Sequence, residues 1–213
     1  MKYIAILDYQ RLDNGMFMKS FSEAMGRQRG CSGIILHGDS EYTERLIQTG
    51  MLREDAVLRS TRDLNHRIVA LLADSGVAGI GINGYQRKIV TTSGKNISLN
   101  REWLETRPAG THIVLSNLVW DNVNEKVVPV PLSNLAHVLS LETNREVVIV
   151  FSQNDSASSL FVDQRNPKSS AASPDEADIR LPDDIQKPPA NCYFGTTDAF
   201  GNLPNMSEFT RIS

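Results

Sequence analysis

The chain has 213 residues, a formal net charge of −3 and 40% hydrophobic residues, which fits one globular domain, or one domain with a small appendage, and provides enough apolar chain for a real core. Its basic residues are scattered, with no stripe that could follow a phosphodiester backbone, so no nucleic-acid partner is expected. Cys31 and Cys192 lie far apart and outside any CxxC or Cys/His cluster, residues 1–7 ("MKYIAIL") lack the apolar core of a signal peptide, and no run approaches the roughly 18–20 apolar residues that cross a bilayer; a reduced, cytoplasmic protein without membrane contact is expected.

"YIAIL" at 3–7 and "SGIILH" at 32–37 are short β-rich runs, and between them Phe17, Phe21, Ala24 and Met25 recur at helical spacing. Strands that are apolar throughout, rather than alternating, indicate a parallel sheet covered on both faces. A second helix is predicted from about Asp39 to Gln48, ending at Gly50. A third is predicted with Asp63 as its cap, a stripe of Leu64, Ile68, Leu71 and Leu72, and Gly76 behind it. "VAGIGI" at 77–82 reads as a buried strand followed by a turn; its glycines lack dinucleotide-fingerprint spacing.

Asn83-Gly84 and Ser93-Gly94 mark turns of a hairpin. "THIVLSNLVW" and "KVVPV" then read as strands, "SNLAHVLSLE" as a helix and "EVVIVF" at 146–151 as another buried strand. The pattern is α/β, a three-layer α/β/α arrangement with a mainly parallel central sheet and a small antiparallel insertion. From Asp163 to Ala190 the chain carries five of its nine prolines among Ser, Asp and Lys, with almost no apolar periodicity. The expected organisation is a body over 1–162, a Pro/Ser-rich irregular segment over 163–190, and a strand or hairpin over 191–213 that packs back on the body through Tyr193, Phe194 and Phe200.

The order of these pieces resembles the amino-acid kinase (carbamate-kinase-like) family, and within it the acetylglutamate kinase type. "ILHGDSEYTERLIQTGM" matches the family's second glycine turn and its helix, and "VLRST" at 57–61 resembles its Gly-x-Arg-x-Thr motif. "LNHRIVALLADSGVAGIGINGYQRKIV" and "VPVPLSNLAHVLSLETNREVVIVFSQ" are similar to later elements, so the likeness covers roughly residues 1–160. It implies a substrate site near His37, Gly38, Arg59 and Thr61, with Arg59 gripping a ligand carboxylate through a bidentate pair. It also implies a homodimer and a role like those of arginine biosynthesis.

Set against that family, the phosphate equipment is missing. Phosphoryl transfer needs lysines, amide donors and an organising aspartate around the moving group. The Lys-Gly-Gly of the first loop is replaced by "LDYQR" at 7–11, which puts a carboxylate, Asp8, near the phosphates. In the second turn only Gly38 is kept, with Asp39 and Ser40 where further glycines belong. The Asn-Val-Asn-Ala-Asp segment falls on Val128, Pro129, Val130, Pro131 and Leu132, and little chain remains for a nucleotide lobe. The phosphate-loop remnant is thus Asp8, Gly38, Asp39 and Ser40, and no catalytic residue can be named.

The expectation is a pseudoenzyme that binds an acidic N-acyl amino acid as a binding or regulatory protein, without a cofactor. An active kinase using ATP and Mg²⁺, with Arg11, Lys88 or Lys168 as replacements, and a dimeric scaffold are the alternatives. Asp8 with Asp39 forms a candidate carboxylate pair that could attract a cation or an amine. His37 is a base or a turn-satisfying residue; His66, His112 and His137 form no metal-spaced pair, so no metal is predicted.

Overall fold

The computed structural model describes residues 1–106, 108, 110–145, 147–151, 189 and 191–212. Apart from Pro189, the expected irregular segment 163–190, and Lys168 with it, lies outside the described residues. The central sheet has seven strands in the order β11-β10-β9-β1-β2-β6-β3. These are β1 (Lys2–Leu7), β2 (Ser32–His37), β3 (Gly79–Asn83), β6 (His112–Ser116), β9 (Val147–Phe151), β10 (Cys192–Gly195) and β11 (Thr210–Ile212). All run parallel except the edge strand β11, which pairs antiparallel with β10.

Two apolar layers explain why the inner strands carry no alternation. One face of the sheet presents Tyr3, Ala5, Leu7, Ile35, Val114, Ile149 and Phe151 to α2 (Gly15–Arg27), α4 (Arg53–Asp74) and α7 (Thr197–Gly201). The other presents Ile4, Ile6, Ile34, Leu36, Leu115, Val148 and Val150 to α6 (Leu132–Glu142) and to a second sheet. A strand covered on both sides gains from apolar residues at every position. Phe21, Phe151 and Phe200 meet within 5.2–5.5 Å in stacked and edge-on pairs, which fastens the C-terminal α7 against α2 and the sheet.

Two expectations need correction. The long helix starts at Arg53, ten residues before Asp63, which lies inside it and caps nothing. Its buried stripe runs back through Ser60 to Ala56, Glu54 and Asp55 complement the dipole in the first turn, and no Gly or Pro interrupts residues 53–74. The predicted antiparallel insertion is a four-stranded sheet in the order β5-β4-β7-β8, where β4 (Val90–Ser93) and β7 (Leu118–Asp121) pair parallel. β5 (Asn96–Leu99) and β8 (Lys126–Pro129) complete it.

The run "THIVLSNLVW" is consequently not one strand. It breaks at Asn117, whose backbone N–H donates to the His37 carbonyl at 2.9 Å and whose Nδ2 donates to the Val130 carbonyl at 2.9 Å. That residue passes the chain from the central sheet to the second one. Among the described residues no helix is long and apolar enough to cross a membrane.

Candidate functional site

Parallel strands bring their C-terminal ends to one edge, where open α/β folds place ligands. The register sets Leu7, His37, Ser116 and Asn83 in a single row across β1, β2, β6 and β3. Asp8 follows Leu7, Gly38-Asp39-Ser40 follow His37, and Asn117 follows Ser116. Ser116 Oγ donates to Asn83 Oδ1 at 2.9 Å, closing that end of the row.

His37 is fully buried. Its Nδ1 lies 2.9 Å from the Gly38 carbonyl, which can only accept, so the proton sits on Nδ1 and Nε2 is left to accept from Asn65 Nδ2 at 3.0 Å. The same Asn65 amide reaches the carbonyls of Ile82 and Val114 at 3.2 and 3.1 Å, tying α4 to the ends of β3 and β6. Burial pushes the imidazole pKa down to about 4, against the opposing pull of the Gly38 carbonyl. A neutral, doubly bonded imidazole positions the turn.

The turn after β1 forms a short helix, α1 (Tyr9–Leu12), that nothing in the apolar pattern announces. Asp8 makes it: Oδ1 accepts from the amides of Gln10 and Arg11 at 3.1 and 3.2 Å, while Oδ2 lies 3.3 Å from Arg11 Nε. Arg11 in turn donates from Nη2 to the Phe151 carbonyl at 3.1 Å and stacks 4.9 Å above the Phe17 ring. Asp8 and Arg11 are 2% and 6% exposed, so the pair is an interior clamp between the ends of β1 and β9.

The turn after β2 repeats the arrangement. The Tyr42 amide, in the first turn of α3 (Glu41–Gln48), donates to Ser40 Oγ at 3.3 Å and to Asp13 Oδ2 at 3.1 Å. Asp13 Oδ1 sits 3.4 Å from Arg45 Nη2 and 3.7 Å from Arg67 Nη1. Above these turns, burial and then the charges of Asp39, Glu44, Glu41 and Asp13 raise the Tyr9 phenol pKa.

Arg59 lies in the second turn of α4 with its side chain 60% exposed and 3.9 Å from Asp63. Thr61 is fully buried on the opposite face, and its hydroxyl has no hydrogen-bond partner among the described residues. The row thus gathers Asp8, His37, Gly38 and Ser40, while Arg59 stands on the helix surface. A Cβ on Gly38 would come within 3.3 Å of Asn117 Nδ2, so the two turns pack closely there. Sequence reading missed Asn65, Asn83, Ser116 and Asn117; polar residues at the ends of apolar strands are the signal that marks the last three.

No family model matches the chain, and no curated protein sequence matches it. Solved structures do. A structure of isopentenyl phosphate kinase superposes with a TM-score of 0.54 at 17% identity over 73% of this chain and 73% of the other. N-acetylglutamate synthase from Neisseria gonorrhoeae, complexed with coenzyme A and N-acetyl-glutamate, gives 0.57 at 16% identity, over 72% of this chain and 42% of the other. Aspartate kinase from Synechocystis gives 0.60 at 10% identity, over 72% and 28%. These neighbours are amino-acid kinase family members.

The fold is that of the amino-acid kinases. At these identities the likeness is one of fold, and it spreads over several branches of the family without singling out the acetylglutamate kinase type. The chain spans less than half the length of the synthase and of the aspartate kinase.

Proposed function

We propose that the chain is a diverged amino-acid-kinase-fold protein that does not transfer phosphate and serves as a binding or regulatory protein for a small acidic amino acid derivative. One observation carries the first half. At both turns where this fold would cradle phosphate, backbone amides are already bonded to the chain's own carboxylates: Gln10 and Arg11 to Asp8, and Tyr42 to Asp13. An incoming phosphate would have to displace a covalently tethered anion and then face Asp39, Glu41 and Glu44.

Arg11, the nearest candidate to replace a catalytic lysine, is spent on Asp8 and the Phe151 carbonyl. The ligand half rests on Arg59, whose exposed guanidinium has, among the described residues, one long ion pair to Asp63 and can turn toward a carboxylate. Thermal-shift and calorimetric titration of the full chain with MgATP and with N-acetylglutamate test both halves. The expected result is no response to MgATP and a response to N-acetylglutamate that Arg59→Ala abolishes. ATP-dependent phosphorylation of an N-acyl amino acid would overturn the first half, and an unchanged titration of Arg59→Ala the second.

A further inference from the structure

The connection from β3 to β4 passes through one 3₁₀ turn, Gln86–Lys88. It is braced from several sides: the Asn83 amide donates to Gln86 Oε1 at 2.9 Å, the Tyr85 amide to the Leu118 carbonyl at 2.8 Å and the Val90 amide to the Gly84 carbonyl at 2.7 Å. Within it Arg87 and Lys88 both take a φ of 52°, in the left-handed region that favours glycine. Both side chains are exposed, so no core packing accounts for two large residues in that conformation. Strain held at exposed, non-glycine positions directs attention to what the side chains do.

The turn stands beside a third cation. The Arg62 guanidinium of α4 lies 5.3 Å from the centre of the Tyr85 ring, and Lys88 Nζ lies 5.6 Å from that of Trp120 on β7. From Ser75 to Asn100 the chain holds no Asp or Glu, while Arg87, Lys88 and Lys95 fall within it. Other cations of the neighbouring elements are paired: Arg59 with Asp63 at 3.9 Å, Arg53 with Glu44 at 3.1 Å and Lys126 with Glu54 at 3.6 Å. Arg62, Arg87 and Lys88 have no ion pair among the described residues. Two further acids come near. Asp121, next to Trp120, is 7% exposed and turned onto the amides of Val123 and Asn124, and Asp55 is seven residues before Arg62 on α4, about 10 Å away at the helical rise. The face keeps a positive surplus.

We infer that the face formed by Arg62, Arg87 and Lys88 binds an acidic peptide segment of a partner protein. Charge complementarity selects an anion, and cations set on two elements and over two different rings match one with several negative groups. Arg62 and Lys88 rest on the half-buried rings of Tyr85 and Trp120, which puts cations where nucleobases would stack. The exposed large apolar side chains among the described residues are Met16, Leu52, Val123 and Leu141, and none belongs to the turn, so it has no wedge for a bilayer. The site does not use Arg59 and stands whether or not Arg59 holds a ligand.

A fluorescently labelled hexaglutamate peptide is the probe, titrated with the full chain by anisotropy at low and at high salt. Binding that salt weakens is expected, reduced about tenfold or more in the double variant Arg87→Gly, Lys88→Gly and several-fold in Arg62→Gln. Lys19→Gln, an exposed position on α2, is expected to bind as the parent does. Because glycine accepts the left-handed backbone, the glycine pair is expected to unfold at a midpoint no lower than the parent, which separates lost binding from lost fold. Arg87→Gln with Lys88→Gln, which keeps a Cβ at both positions, is expected to lose affinity alike. No binding of hexaglutamate at low salt, an equal loss in Lys19→Gln, full binding by both double variants, or tighter binding of oligothymidylate or of phosphatidylserine vesicles would each overturn the inference.

Discussion

Asn65 Nδ2 lies 3.0 Å from His37 Nε2, and this contact couples α4 to the end of β2 across the interior of the protein. Asn65 is 1% exposed and its two amide protons are shared among His37 Nε2 and two backbone carbonyls, so its removal leaves buried acceptors short of a donor. Asn65→Ala is expected to cost about 2–4 kcal/mol in urea unfolding, because stranded buried polar groups lose water without recovering a bond. A loss under 1 kcal/mol would show that the amide is not a structural strut.

Gly81 tests the same contact from the other side. A Cβ at this position of β3 would collide with Asn65 Oδ1 and lie 2.8 Å from the Val69 side chain. Gly81→Ala is therefore expected to destabilise the chain by roughly 1–3 kcal/mol, although alanine suits a strand better than glycine. Chemical denaturation of Gly81→Ala beside Asn65→Ala and the double variant would show whether the effects are coupled.

Stability should fall with acid, and the sign follows from His37. Its folded pKa, about 4, lies below the unfolded value of 6.5, so between those limits the unfolded chain takes up a proton that the folded chain refuses. The His37 contribution is complete above pH 6.5, declines as pH drops and levels off below about 4, a loss on the order of 3 kcal/mol. His112, buried and accepting on Nδ1 from the Gly33 amide, is lowered by burial to about 4 and adds with the same sign. An NMR titration showing His37 with a midpoint near 6.5 would remove the basis of this prediction.

The Asp8 clamp separates charge from shape. Asp8→Ala takes away the cap of α1 and leaves Arg11 buried without its carboxylate, an expected loss of about 3–5 kcal/mol. Asp8→Asn retains an acceptor for the Gln10 and Arg11 amides and should lose less. Equal unfolding midpoints for the two variants would mean that the capping hydrogen bonds add nothing, and a wild-type midpoint for Asp8→Asn would mean that the charge adds nothing.

Both thiols should be inert in the folded state. Cys31 and Cys192 are buried and free, and burial raises both, Cys192 to about 12, so the reactive thiolate is scarce at neutral pH. Alkylation by iodoacetamide is expected only after denaturation, and rapid labelling of native protein followed by mass spectrometry would contradict it.

Local chemistry made the strands, the amphipathic stripes and the parallel α/β class legible in the sequence. Uninterrupted apolar runs such as "IAIL" and "GIILH" suit only strands covered on both faces, and the missing lysines and glycines are a matter of residue identity. The true start of α4 was readable too, in the Ala56 and Ser60 stripe, but a capping residue at Asp63 competed with it.

The site also depended on contacts that apolar periodicity does not mark, one of them local, from Asp8 to the next two amides, and others between residues far apart in the chain. Periodicity is blind to an aspartate that turns back on its own amides, to Asp13 reaching α3, and to Asn117 handing the chain from one sheet to another. The distant ones, from Asp13 and Asn117, require the strands to be in register, because each satisfies a polar group that the packing of other segments has cut off from water. Sequence determined which groups were available; the tertiary arrangement decided which anions the helix ends would hold.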